Sequence, residues 1–176
     1  WFIAVGVAAI LAAWFYTGGK KPYGYAGLGD LVVFIFFGLV ATVGTTYIQV
    51  GDLDQTSVIF GAAAGFFACA VLMVNNLRDR VQDQHVGKRT LSVRIGAKAS
   101  KAVFLIDLWL PFALMSFIAT VYRSAVLGWF TAFLAVPATV ILLLAKSPKE
   151  LILVLKLTSY SAILFAVLEL VAFSIQ

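Results

Sequence analysis

Asp79 and Asp83 stand four residues apart in the run NNLRDRVQDQHVGKRTLSVRIG, Asn75 to Gly96, which follows directly on an apolar stretch ending at Val74. In a helix, residues four apart lie one above the other, so Asn75, Asp79 and Asp83 form a polar ladder on one face with Asn76 beside it. Two carboxylates about 6 Å apart repel each other unless something positive lies between them. Oxygen donors across such a gap suit Mg2+, a hard cation that takes one or two carboxylates and completes its shell with water and substrate phosphate. Arg78, Lys88 and Arg89 supply cations for phosphate oxygens nearby. One chemistry for this pattern is therefore a metal-bridged diphosphate site at a membrane surface. The other, commoner on spacing alone, is a solvated interfacial face on which Asp79 and Asp83 pair with Arg80, Lys88 or each other's neighbours.

The rest of the chain makes that run conspicuous. It holds both asparagines of the sequence, two of its eight acidic residues and five of its thirteen Lys and Arg. The 176 residues are 62% hydrophobic and 12% charged, with a mean hydropathy of +1.02, which lies outside the soluble globular range. Several runs approach or exceed the about 18 apolar residues that a span requires, and none alternates with period two, so the spans are helices. The net charge of +5 sits in loops between apolar runs, where orientation in a bilayer explains it and nucleic acid does not. Cys69 is the only cysteine, so no intrachain disulfide forms, and its place among Ala and Phe assigns it to packing. The chain opens at Trp1 inside an apolar run without the basic flank or cleavage pattern of a signal peptide, as a truncated or processed chain would.

Taken in order, six spans are expected. The first is Trp1 to Tyr16, ended by a loop with five glycines and Pro22. The second, Leu31 to Ile48, leads to an acidic turn around Asp52 and Asp54. The third begins at Ser57 and, lacking Gly or Pro after Gly65, continues past Asp79 to about Asp83, with Gly87 as its stop. Ala102 to Thr120, with Pro111 as a candidate kink, Val126 to Ala145, with Pro137 inside, and Leu151 to Ile175 complete the set. The expected fold is one all-α polytopic transmembrane domain over residues 1–176. Lys20, Lys21, seven basic residues from Arg78 to Lys101, and Lys146 and Lys149 fall on one face, against Arg123 alone on the other. That bias assigns loops 17–30, 76–101 and 146–151 to the cytoplasm.

The run Asn75 to Gly96 closely resembles the second aspartate-rich motif of the UbiA superfamily of intramembrane prenyltransferases, and NNxRDxxxDxxxGKxTLxVRxG resembles its 1,4-dihydroxy-2-naphthoate branch, MenA. YTGGKKPYGYAGLGD, Tyr16 to Asp30, and the following FFGLVATVGTTY are similar to the same branch, so the likeness covers essentially the whole chain. The resemblance implies that Asp79 and Asp83 bind Mg2+, that Asn75 and Asn76 line the approach, and that Lys88 and Arg89 hold diphosphate. Arg78, by its place beside the carboxylates, and Lys20 and Lys21, in a loop on the same face, are further candidates for the diphosphate, although topology alone also puts basic residues in that loop. It implies a Mg-dependent transfer of a polyprenyl group from polyprenyl diphosphate to 1,4-dihydroxy-2-naphthoate in menaquinone biosynthesis, in a bacterial inner membrane with the active face cytoplasmic. Membrane lipid is then a partner and nucleic acid is not, and no oligomeric state follows. Another aromatic acceptor such as 4-hydroxybenzoate, or a noncatalytic or transport subunit, are the alternatives.

The family fold is a bundle of nine helices around a lipid-accessible cavity, and the six spans correspond to helices 4–9. The family's first motif, of the NxxxDxxxD kind, is absent, because Asn75 and Asn76 are the only asparagines. The expectation is that the first three helices are missing from this chain or come from another. Asp107 is an intramembrane acid and a functional candidate, or else the partner of a lysine near the interface, and Glu169 faces either the bundle interior or the far surface. Tyr23 and Tyr25 lie on the active face; His85 falls at a variable motif position and is expected to be a solvated spectator. Phe34, Phe36, Phe37, Tyr47, Phe66 and Phe67 are candidates to shelter an isoprenoid, or simply packing residues.

Overall fold

One 31-residue helix, Gln55–His85, is the element against which the others are placed. The computed structural model describes residues 2–19 and 22–175 as α1 (Phe2–Thr17), α2 (Gly29–Val50), α3 (Gln55–His85), α4 (Leu91–Ile118), α5 (Arg123–Leu144) and α6 (Glu150–Ser174), with a 3-10 turn, Tyr23–Ala26, between α1 and α2. Helices α2 to α6 are long and apolar enough to cross a membrane, and α1 is apolar but shorter. The all-α polytopic expectation holds, and the chain is a multi-pass membrane protein.

At about 1.5 Å per residue α3 is about 46 Å long, against a hydrocarbon core of about 30 Å, so its last turns stand outside the apolar layer. Its start is fixed by Asp54, whose Oδ1 accepts from the Ser57 N–H at 2.7 Å, an N-cap. Its end is a Schellman motif: the Gly87 N–H donates to the Gln84 carbonyl at 3.2 Å and the Lys88 N–H to the Asp83 carbonyl at 2.8 Å. Gly87 has φ +75°, the left-handed conformation that this motif demands.

Helix α2 packs on α3 through glycine. Its middle, Phe34–Val40, is a π-helical segment, and a Cβ built on Gly38 would lie 2.5 Å from the Gly65 Cα and 2.6 Å from the Gly61 carbonyl oxygen. Small residues bring the two backbones into direct contact, the usual means of joining helices where lipid removes the hydrophobic drive. On its other side α3 packs against α4, with Phe67, Ala70, Met73, Val74 and Leu77 meeting Phe104, Leu108, Phe112 and Met115. The three-and-four spacing on both helices makes this the centre of the core. Trp109 Nε1 donates to Thr139 Oγ1 and Trp129 Nε1 to Ser116 Oγ, each at 3.0 Å, linking α4 to α5.

Within segment 76–101, α3 runs to His85, close to the stop expected at Gly87, and α4 begins at Leu91, earlier than the start expected at Ala102. The non-helical backbone inside α4 falls at Gly96 (φ 80°, ψ 169°) rather than at Pro111. A glycine adopts that conformation without a Cβ penalty, whereas a buried proline removes one ladder bond and can leave the helix path intact.

Candidate functional site

The end of α3 carries the polar ladder, and the fold divides it. Asp83 is buried at 7% exposure and Asn76 at 5%, while Asn75 and Asp79 are half-buried. Asp79 turns to its neighbour Arg78, whose Nε and Nη2 donate to Oδ1 and Oδ2 at 2.7 Å each. Asp83 pairs with Lys88, Nζ to Oδ1 at 3.3 Å, and its Oδ2 is buried with no hydrogen-bond partner among the described residues. The helix cap explains the second pair. Once Gly87 reverses the chain, the Lys88 backbone docks on the Asp83 carbonyl and the side chain follows it back to the carboxylate. The spacing D-x-x-x-G-K is thus a helix stop and an ion pair at once.

The glycine-rich loop joins the same surface. The Arg89 N–H donates to the Tyr25 carbonyl at 3.0 Å, and the Lys88 ammonium lies 5.5 Å from the Tyr25 ring centroid. Tyr23 anchors the turn to α1 through its hydroxyl, which donates to the Ala12 carbonyl, and burial pushes that phenol's pKa up. Arg94 Nε donates to the Arg89 carbonyl at 3.1 Å, closing the connection between α3 and α4. Lys20 and Lys21 lie outside the described residues. The Arg89 side chain is exposed, and Thr90 is buried with an Oγ1 that has no partner among the described residues.

Outside the ladder, a hollow of about 400 Å³ is lined by Arg78, Asp79, Gln82, His85 and Lys149 with Pro148 and apolar neighbours. His85 is therefore exposed, as expected, yet it borders the same polar hollow as Asp79. Lys101 Nζ donates to the Leu143 and Ala145 carbonyls at 3.3 and 3.4 Å, tying the start of α4 to the end of α5. Loop 86–90, the glycine-rich loop and segment 145–149 thus gather at one end of the bundle.

A divalent cation fits this donor set on one observation above all: Asp83 presents a buried, unbonded carboxylate oxygen with Asp79 one turn before it. Among the described residues no group of three or more His, Cys, Asp or Glu converges, so they do not by themselves assemble a complete metal shell. Cationic and anionic groups alternate here, which is the arrangement that binds a metal and a polyanion together.

Sequence reasoning passed over Asp30. Both of its carboxylate oxygens are buried and without a partner among the described residues, at the first turn of α2, and its carbonyl accepts from the Cys69 thiol at 3.2 Å. The available signal was an acid opening an apolar span. Asp107, at 8% exposure, makes no ion pair among the described residues. Glu169, at 5%, packs against Gly128 of α5 at a distance from the ladder along the chain.

Residues 1–150 match the model of the UbiA prenyltransferase family. The chain is 40% identical over 166 residues to the 1,4-dihydroxy-2-naphthoate octaprenyltransferase of Mycobacterium tuberculosis, covering 94% of this chain and 57% of that protein. It is 50% identical over 96 residues to the protein of the same name from Haemophilus influenzae, covering 54% and 31%. It is 33% identical over 111 residues to the UbiA prenyltransferase domain-containing protein 1 of Gallus gallus, covering 63% and 33%. At its widest match the chain spans about half the length of the curated relatives. No solved structure is significantly similar to it.

Proposed function

Because this chain belongs to the UbiA prenyltransferase family, we propose that it contributes the second half of a diphosphate and metal site to an enzyme that prenylates 1,4-dihydroxy-2-naphthoate. The observation that carries the reading is the Asp83 carboxylate, one oxygen on Lys88 and the other buried and unbonded, at a helix end already loaded with Asp79 and Arg78. In this reading Asp79 and Asp83 hold Mg2+, which when bound stabilises negative charge developing on diphosphate.

The chain's own residues do the rest. Lys88, Arg89 and Arg78 bind phosphate oxygens, with Lys88 fixed by the helix cap and Arg78 free to exchange Asp79 for phosphate. Asn75 and Asn76 line the approach to the carboxylates. Lys20 and Lys21 belong to the same group by position in the sequence. The allylic C–O bond breaks with its electron pair leaving on diphosphate. The ring carbon bearing the acceptor's carboxylate bonds to the prenyl carbon, and that carboxylate departs as CO2, returning a pair to the ring. Polyprenyl diphosphate and the naphthoate are thus the partners, in a lipid bilayer. The site faces the cytoplasm of a bacterial inner membrane, the side that the basic loops favour.

The test is prenyl transfer by the complete protein in lipid nanodiscs, with 1,4-dihydroxy-2-naphthoate or 4-hydroxybenzoate as acceptor, with and without Mg2+. Turnover on the naphthoate alone, abolished by chelation, is expected. Equal turnover on both acceptors would remove the acceptor assignment, and none on either would remove the enzymatic one.

A further inference from the structure

We propose that Tyr25 is a positioning residue for Lys88: its ring is the seat on which the ammonium rests when Asp83 gives its carboxylate to a cation. The inference rests on the diphosphate reading above and adds a residue from the glycine-rich loop to it.

The Lys88 ammonium stands between an anion and an aromatic face, 3.3 Å from Asp83 Oδ1 and 5.5 Å from the Tyr25 centroid. Backbone contacts hold the two side chains in register. The Arg89 N–H, one residue beyond Lys88, donates to the Tyr25 carbonyl at 3.0 Å, and the Tyr25 N–H donates to the Pro22 carbonyl at 3.1 Å. Two residues further on, Gly27 has φ +79°, and a Cβ there would meet Arg94 Nε at 2.8 Å and Cδ at 2.9 Å. The left-handed conformation calls for glycine, and Arg94 lies directly against it. Loop and basic segment are therefore tied together directly beside the Tyr25–Lys88 contact.

With a dication bound, the Asp83 carboxylate would be engaged by it and the Lys88 ammonium would lose that partner. The root of the side chain stays in place, because the Lys88 N–H is on the Asp83 carbonyl at 2.8 Å, so the ammonium swings from a fixed point beside the ring. The π face is then the favourable surface within reach, and a centroid distance under about 6 Å is the range in which a ring quadrupole attracts a cation. A ring differs from a carboxylate in that it holds the ammonium without neutralising it, so the full charge stays available to phosphate. Tyr25 is 41% exposed, which leaves the ammonium approachable from solvent.

The test uses the complete protein in nanodiscs with Mg2+ and inorganic pyrophosphate as the probe, measured by calorimetry beside KM and kcat for prenyl diphosphate. Tyr25→Leu is expected to weaken pyrophosphate binding about fivefold and to raise KM similarly, with kcat changed by less than about twofold. Tyr25→Phe and Tyr25→Trp retain the affinity, since each supplies a ring. On a Lys88→Gln background, Tyr25→Leu costs nothing more. Wild-type affinity in Tyr25→Leu, a loss in Tyr25→Phe equal to that in Tyr25→Leu, or full additivity with Lys88→Gln would each overturn the proposal. If Lys88→Gln itself binds pyrophosphate as the wild type does, the diphosphate role of Lys88 falls, and the seat proposed for it falls too.

Discussion

Arg78 grips both carboxylate oxygens of Asp79, at 2.7 Å each, on the turn of α3 where a metal carboxylate is proposed. The guanidinium and a metal ion therefore compete for one anion. The two side chains are 28% and 36% exposed, and a pair so accessible to water is worth at most about 1 kcal/mol. Releasing it shifts an equilibrium by up to about fivefold. Arg78→Gln is thus expected to lower the Mg2+ concentration for half-maximal turnover by a few-fold while raising KM for prenyl diphosphate. A Mg2+ titration of the complete protein reads the first effect, and an unchanged midpoint would mean that the Arg78–Asp79 pair does not compete with metal binding.

Asp83 is the less replaceable of the two acids. It is buried, its Oδ2 has no partner among the described residues, and its other oxygen orients Lys88. Asp83→Asn keeps the shape and removes the charge that both the metal and the ammonium use. Loss of one electrostatic element of this kind costs about 10²–10³ in kcat. Stability should change little, because an amide is easier to bury than a carboxylate lacking a full set of partners. Turnover near wild type in a folded Asp83→Asn protein would sink the metal assignment.

The helix stop sets the position of Lys88, which gives Gly87 a functional consequence. A Cβ at Gly87 would meet nothing within 4 Å, so substitution there is purely a question of backbone. Alanine at φ +75° costs about 1–2 kcal/mol. Relieving that strain unwinds the Schellman turn and takes the Lys88 N–H off the Asp83 carbonyl, displacing the root of the side chain that binds phosphate. Gly87→Ala should therefore raise KM for prenyl diphosphate as well as lower thermal stability. Gly87→Asn, which tolerates the left-handed region better, should recover part of both. A stability loss with an unchanged KM would separate the cap from the site.

What the sequence made legible follows from what local patterns encode. The extent of α3 and its stop at Gly87 were readable, because the absence of Gly and Pro after Gly65 and a glycine after a polar run are local signals. The ladder of Asn75, Asp79 and Asp83 was readable from helical period. Period, however, places residues on a face without saying what that face meets. Asp79 found Arg78 next to it, while Asp83 was buried beneath the returning chain. The π segment Phe34–Val40 was hidden because it answers to the backbone of another helix, and the break at Gly96 because Pro111 gave the louder signal. Tyr25 met Lys88 across more than sixty positions of sequence, a pairing that only the tertiary fold reveals.

Two glycines of α2 separate packing from propensity. At Gly38 an added Cβ meets the Gly65 Cα at 2.5 Å, the Gly61 carbonyl oxygen at 2.6 Å and the Gly65 nitrogen at 2.8 Å, all backbone atoms that cannot rotate away. At Gly44, on the same helix, it meets nothing within 4 Å. Gly44→Ala should be neutral or stabilising by up to about 1 kcal/mol, the helix-propensity difference. Gly38→Ala must push α2 off α3, at a cost of about 1–3 kcal/mol or more. Because α2 begins at Gly29, beside the turn that carries Tyr25, the same displacement moves the glycine-rich loop relative to Lys88. Thermal unfolding in detergent and pyrophosphate binding should therefore both be impaired in Gly38→Ala and both be spared in Gly44→Ala. Equal behaviour of the two variants would show that the crossing of α2 and α3 does not set the position of the site.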